Sequence, residues 1–268
     1  MLIFPQLSTG ATIQYPLTRR LSQRSVQSMM EDGTILSLPD VAANYLSWKV
    51  AFQDLSDAEA NALRSFFAST QGSLQPFLFL DPGSNLLAWS EDFSQSAWQA
   101  PGITFDGSIT DPLGTTRAAR AHNPLPSSLP IAQQTRIPGL VQTCFSVYLR
   151  SPSPATCTLT RSAGTHSQNS SIAVTSTWQR FSIGGAFPTV TDPASFSITV
   201  PCGAALEIFG PQVDAQVNPS QYVVSSAQSG VYANSRFDMK QIDMIATGPN
   251  RNACEVMVRS NLPLENDK

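Results

Sequence analysis

Glu91 and Asp92 stand side by side in a chain of 268 residues. Paired carboxylates can run glycoside hydrolysis or supply oxygen ligands to calcium. Neighbouring side chains of an extended segment point to opposite faces, so these two do not share a reacting atom, and a cap or turn role for Ser90 to Asp92 is the expectation. The two histidines, His122 and His166, lie in Pro- or Ser-rich polar surroundings and read as surface loop residues. Neither a His-Glu-x-x-His helix nor a Gly-x-Ser-x-Gly elbow is present, and Gly184-Gly185 lacks the spacing and following helix of a dinucleotide fingerprint. Asn169-Ser170-Ser171 matches a glycosylation acceptor, which is idle without export. The expectation is no catalytic residue, no cofactor, no metal site and no enzyme.

Cys144, Cys157, Cys202 and Cys254 contain no Cys-x-x-Cys pair, which leaves zinc knuckles and redox motifs unsupported. Phe145, Val147 and Leu149 alternate as an inward face, which turns Cys144 outward, whereas Cys157 and Leu159 share the apolar face of the next strand. Cross-strand partners share a face, so a Cys144 to Cys157 disulfide is disfavoured. Trp89, Trp98, Trp178 and Phe181 are the aromatics on which a sugar ring could stack, with Phe209 and Tyr222 no better placed. Core packing is the commoner fate of such residues and is expected for these four, so no glycan-binding residue is assigned.

The elements that would position these groups follow from composition and pattern. Charged residues are only 13% of the chain, and Ser, Thr, Gln and Asn supply its polarity, which suits β surfaces. A net charge of -3 with 16 basic residues argues against a nucleic-acid partner. No apolar run approaches membrane-spanning length and the N-terminus lacks the form of a signal peptide, so the chain reads as soluble and not exported.

Trp48, Val50 and Phe52 form a short strand. Ser56 and Glu59 form a capping box for a helix to about Ser69 that buries Ala60, Leu63, Phe66 and Phe67, with Gly72 as its stop. Phe77 to Leu80 is a strand ended by Asp81-Pro82-Gly83, where Pro presets φ and Gly tolerates positive φ. From Asn85 the pattern changes to short strands between Pro, Gly, Ser and Asn clusters, with candidates at Val141 to Arg150, Ala155 to Thr160, Ser171 to Val174, Thr177 to Ile183, Ser195 to Val200 and Ala205 to Phe209. Pro101 to Pro138 reads as irregular strands and a long loop. Near the C-terminus one strand is expected through Phe237, Met239 and Ile242 to Ile245, and another through Val256 and Val258. Forty residues are too few for a core of their own, so they pair back onto the first module. Leu262 to Lys268 is expected to fray.

Two resemblances sharpen this reading. The segments Asn85 to Trp98, Phe145 to Ser151, Thr175 to Ile183 and Glu207 to Val223 resemble carbohydrate-binding-module-like jelly rolls found as add-on domains in phage tail proteins, which implies that Asn85 opens the module and Pro219 to Tyr222 closes it. Gln14 to Leu17, Asp32-Gly33, Trp48, the Leu55 to Phe67 helix, Gly72 and the run into Pro82 resemble the N-terminal domain of phage distal tail and related tail-tip proteins. The expected fold is mainly β: a discontinuous α+β tail-assembly domain, residues 1–84 with 226–268 and one helix near 56–69, carrying an inserted β-sandwich or jelly roll over 85–225.

The function these resemblances imply is structural. They describe a virion protein of the tail tip or baseplate, assembled in the host cytoplasm into a homo-oligomeric ring with sixfold symmetry. The ring would join tail tube to tip or fibre proteins, with the jelly roll outward where it contacts host surface polysaccharide. The alternative is a receptor-binding or fibre-adaptor protein whose jelly roll is the primary glycan-binding module.

Overall fold

The computed structural model describes residues 1–262, and the chain forms two compact units. Unit 1 comprises Met1–Ser8, Ile13–Phe79 and the residues from Tyr232 onward, and unit 2 comprises Thr9–Thr12 and Leu80–Val231.

Unit 1 is one sheet and one helix. The strands β1 (Leu17–Met29), β2 (Ile35–Leu55), β15 (Arg251–Asn261), β13 (Val231–Phe237) and β3 (Phe77–Leu80) lie in that order, with β14 (Ile245–Gly248) paired on β15. Trp48, Val50 and Phe52 alternate inward on β2 and meet Val258, Val256 and Cys254 of β15 in antiparallel register. Helix α1 (Asp57–Ser69) closes this core with Ala60 and Leu63, while Phe66 and Phe67 pack edge-on against Phe237. The capping box forms as expected: Glu59 N–H donates to Ser56 Oγ at 3.3 Å, and Ser56 N–H donates to Glu59 Oε2 at 2.9 Å. The helix stops where Gln71 and Gly72 both enter the left-handed region and Gly72 N–H returns to the Phe67 carbonyl.

Three expectations for this part of the chain need correction. The strand around Trp48 is not short; β2 runs for 21 residues, and with β1 it continues beyond the sheet as a two-stranded arm. The strand expected from Phe237 to Ile245 stops at Phe237, and residues 238–244 cross as an irregular strap whose Met239, Ile242 and Met244 pack against the core cluster. Apolar alternation there marks contact with the core and not pairing with a neighbouring strand. The turn after Leu80 forms, but Gly83 does not adopt a positive φ; the Asp81 carboxylate closes it by accepting from Gly83 N–H and Ser84 Oγ.

Unit 2 is a β-sandwich of the jelly-roll type. A five-stranded sheet runs β10 (Gln179–Gly185), β7 (Thr143–Arg150), β12 (Ala205–Asp214), β5 (Ala118–His122) and β4 (Thr104–Ile109). Facing it, a four-stranded sheet runs β6 (Leu129–Pro138), β11 (Pro193–Val200), β8 (Ala155–Ala163) and β9 (His166–Val174). Phe145, Val147, Leu149 and Ile208 on one sheet and Ile131, Leu159, Phe196 and Ile198 on the other are fully buried, and the Phe145 and Phe196 rings meet at 5.6 Å. The six candidate strands from Val141 onward all appear, several extended by a few residues. Pro101 to Pro138 is more regular than expected, holding β4, β5 and β6.

The four cysteines are free. Cys144 does face away from Phe145, yet it is buried, because the return segment after β12 covers that patch of the sheet. Cys157 lies on the other sheet, so the two are not cross-strand neighbours at all. Arg161, on β8, is an unexpected occupant of the sandwich interior: it is fully buried, donates to the Gly139 and Val141 carbonyls at 2.7 and 3.0 Å and to Thr143 Oγ1 at 2.9 Å, and lies 4.4 Å from the Phe187 ring.

Candidate functional site

Two places combine unusual chemistry with exposure, one in each unit. In unit 1 it is the arm. Beyond the Ser22 to Tyr45 pair the register slips, and β1 and β2 then pair from Arg24 with Asp40 to Met29 with Ile35. A turn through Met30 to Thr34 closes the arm, with Gly33 at φ +84 and Thr34 N–H bonded to Asp32 Oδ1 at 2.8 Å. Cross-strand partners share a face. One face therefore carries Val26 with Leu38, Leu36 opposite Ser28, and the Arg24 to Asp40 ion pair; the other carries Ser25, Gln27 and Ser37, then Met29 opposite Ile35 at the tip. Val26, Leu36, Leu38, Met29 and Ile35 are between 43% and 79% exposed. An isolated two-stranded hairpin is at best marginally stable in water, and contiguous exposed apolar surface marks an interaction site.

In unit 2 it is the outer face of the five-stranded sheet. Alternation brings Arg150, Tyr148 and Ser146 of β7 beside Glu207, Phe209 and Gln212 of β12, with Arg120 of β5 opposite Glu207. The Glu207 side chain is buried between two guanidiniums: Arg120 donates through Nε at 3.1 Å, and Arg150 donates to the second oxygen. Burial works against the Glu207 charge, and the two arginines outweigh it, holding the carboxyl below its usual range. Trp178 lies 4.8 Å from the Arg150 guanidinium, its Nε1–H bonded to the Thr110 carbonyl at 3.1 Å. That end of the face offers the guanidinium N–H groups not turned to Glu207 beside a partly exposed aromatic ring, which can hydrogen-bond and stack.

The other half of the same face is filled by the chain itself. Ser220 Oγ donates to Asp214 at 2.6 Å, Val223 N–H donates to Gln212 Oε1 at 2.7 Å, and the Tyr222 ring packs edge-on against Phe209 at 5.0 Å. Tyr222 Oη then donates to Glu91 at 3.0 Å and meets Ser90 Oγ at 2.8 Å. Gly210, at φ +58, permits the close approach; a Cβ there would meet the Tyr222 ring at 2.8 Å.

The residues singled out in the sequence are placed as follows. Ser90 to Asp92 form a turn, with Asp92 accepting from Ser94 and Gln95, while Glu91 faces Arg117 at 3.0 Å and Tyr222. His122 and His166 are exposed at strand ends and are not brought together. Asn169 is exposed on the edge strand β9. Of the four aromatics expected in the core only Trp98 is buried; Trp89, Trp178 and Phe181 are partly exposed, since each sits at a turn or on an edge strand that nothing covers completely. Among the described residues no group of acidic, His and Cys side chains could hold a metal ion. Sequence reasoning missed the arm and the Arg120, Arg150 and Glu207 cluster. Opposite charges at Arg120, Arg150 and Glu207 were a signal only for a reader who already knew the register.

No family model and no curated protein matches the chain. Among solved structures it is similar to the enzymatically active domain of tailspike protein 4 of bacteriophage CBA120, at 14% identity and a TM-score of 0.39, over 50% of this chain and 22% of that one. It is also similar to the CBM22-1 xylan-binding domain of Paenibacillus barcinonensis Xyn10C, at 12% identity and a TM-score of 0.38, over 51% of this chain and 94% of that one. A third likeness is to TmCBM61, solved in complex with β-1,4-galactotriose, at 13% identity and a TM-score of 0.36, over 48% and 97%. The chain thus spans about a fifth of the tailspike chain but nearly the whole of the two binding modules. These likenesses are distant and assign no residue a role.

Proposed function

We propose that this chain is a structural, self-associating protein of a phage tail tip, in which unit 1 builds a ring and unit 2 is carried as a display module. The observation that carries self-association is the arm. Val26, Leu36 and Leu38 line one face of a projecting two-stranded ribbon, where no described segment of unit 1 covers them. The tail-tip setting rests on the sequence motifs of the first module. Light scattering on the purified chain tests the reading: wild-type protein runs as a ring-sized oligomer, and Leu38→Asp with Val26→Asp reduces it to monomer without lowering its unfolding midpoint. A wild-type chain that stays monomeric at 100-fold concentration above the working range would sink it.

A second reading, recognition of host surface glycan by unit 2, is favoured by one observation. Arg120, Arg150 and Trp178 present donors and an aromatic ring at the end of the sheet face that the return segment leaves uncovered. A glycan array with the full chain, set against Trp178→Ala, tests it; array signal that survives the substitution undiminished places any sugar elsewhere.

A further inference from the structure

We infer that the uncovered end of strand β6 is a docking site for an extended, carboxylate-bearing segment of a partner protein, which adds to the four-stranded sheet of unit 2 as a short fifth strand. Strand β6 is an edge strand, with β11 on one side of it and no named strand on the other. Part of that outer side is closed by the chain itself. Ala132 N–H donates to the Gln99 carbonyl at 2.9 Å and Gln99 N–H donates to the Ala132 carbonyl at 2.8 Å, so the main-chain groups of Ala132 point away from β11. An antiparallel ladder continued from this pair would set Ala97 opposite Gln134. Instead Trp98 N–H turns to the Gln95 carbonyl at 2.9 Å, and the chain leaves the ladder.

Main-chain groups of alternate residues in a strand point the same way, so Gln134 N–H and C=O also face outward. Among the described residues neither has a hydrogen-bond partner. Just beyond, the register with β11 slips between Gln134 and Pro138, where Thr135 Oγ1 donates to the Ala194 carbonyl at 3.0 Å and accepts from Ile137 N–H at 3.2 Å. A groove of about 340 Å³ lies along this stretch, lined by Gln134 to Arg136, by Ala88 and Ala97, and by Ala227 to Ser229. At ~3.3 Å per residue, Gln134 to Ile137 spans roughly 10 Å, which is room for about three residues of an incoming strand.

The groove's own chemistry says what enters it. Unpaired main-chain groups at a sheet edge are a template for another strand, held by main-chain hydrogen bonds, and the surrounding side chains then select among strands. Among the described residues that line the groove, Arg136 alone is ionisable; it is exposed, and no described carboxylate pairs with it. An unpaired guanidinium in a groove without an acid favours a carboxylate on the entering segment. None of the described lining residues is aromatic, so a sugar ring has no face to stack on there.

Peptide binding to the full chain tests the site. The probe is fluorescein-labelled Thr-Val-Glu-Val-Thr, read by anisotropy, with Thr-Val-Lys-Val-Thr as its control. The Glu peptide should bind about tenfold tighter than the Lys peptide, the worth of one charge-assisted hydrogen bond, and Arg136→Glu should reverse that order. Two N-methylated forms of the Glu peptide, at the odd or at the even amides, should differ: one set of amides faces Gln134 and that form fails, while the other set faces away and that form binds. Gln134→Pro removes an outward N–H that the ladder with β11 does not use, and should abolish binding of both peptides with an unchanged unfolding midpoint. Equal binding of the two methylated forms, or a Glu preference that survives Arg136→Glu, overturns the inference, as does a Glu peptide that fails to bind up to its solubility limit. Protection of the Gln134 amide from hydrogen exchange in the chain alone, lost on dilution, makes the occupant a second copy and refutes the partner segment. Protection by cellohexaose and not by the peptide makes the groove a sugar cleft and refutes it likewise.

Discussion

Arg161 offers the sharpest test of how unit 2 is held together. Its guanidinium is fully buried between the sheets, and burial alone pulls its pKa from 12.5 down to about 10. At ~1.4 kcal/mol per pKa unit, the fold carries a penalty of roughly 3 kcal/mol for keeping this group charged. The sign follows from a base whose folded pKa is depressed: the penalty is constant below pH 10 and fades only above it, as the unfolded chain keeps its proton longer. Against it stand three hydrogen bonds that pin the turn between β6 and β7, each worth about 1 to 2 kcal/mol with a charged donor.

Arg161→Met removes both sides of that balance and leaves the volume nearly filled, so its stability should fall within about 1 to 2 kcal/mol of wild type. Arg161→Lys keeps the charge but loses the planar fork that reaches two carbonyls and a hydroxyl, and should fall below the Met variant. Arg161→Ala adds a cavity beside Phe187 and should cost about 3 to 5 kcal/mol, lowering the unfolding temperature of unit 2 by roughly 10 °C. Urea unfolding followed by tryptophan fluorescence suits the measurement, because Trp89, Trp98 and Trp178 lie in unit 2 and only Trp48 in unit 1. A Lys variant as stable as wild type would refute the hydrogen-bond geometry, and a Met variant as damaged as Ala would refute the penalty.

Three further outcomes are expected. Glu59→Gln should destabilise unit 1 by about 1 kcal/mol at neutral pH through the capping box; burial opposes the Glu59 charge, but hydrogen bonds from Ser56 and Ser8 hold its pKa at about 2 against 4.5, so the gap to wild type should close as pH falls from 4.5 toward 2. Thermal melts across that pH range check it, and a gap independent of pH would count against the carboxylate's role. Gly210→Ala should cost about 1 to 3 kcal/mol more than Gly203→Ala, since both have positive φ but only Gly210 faces the Tyr222 ring, with open space beside Gly203; equal midpoints would mean the return segment is not seated on the sheet. Finally, burial raises the thiol pKa of Cys144, Cys157 and Cys254 to about 11, 12 and 11, so iodoacetamide should add one label to native protein, at Cys202, and four in denaturant. Mass spectrometry reads the count.

Local signals carried much of the fold. Ser56 with Glu59 predicted where α1 begins, because a capping box satisfies helix donors within four residues. Phe145, Val147 and Leu149, then Phe196, Ile198 and Val200, announced half-buried strands, because a sheet with one covered face imposes a period of two. The arm was not legible in the same way. Val26, Leu36 and Leu38 look like ordinary strand residues, and nothing local distinguishes a ribbon that leaves its sheet from one that stays. Burial of a partly polar surface was equally hidden: Cys144 and Ser146 face away from the core, and only the return of Ser220 to Val223 over them closes that side.

Helix α1, most strands of the sandwich and the lack of any recognised catalytic motif were legible residue by residue, since each depends on neighbours within a few positions. The convergence of Arg120, Arg150 and Glu207 and the interior position of Arg161 came with the three-dimensional fold. It alone carried β1 and β2 past the edge of their sheet and left Val26, Leu36 and Leu38 exposed there. Those outcomes depend on register and on which strands become neighbours across many residues of chain, and no local pattern encodes either.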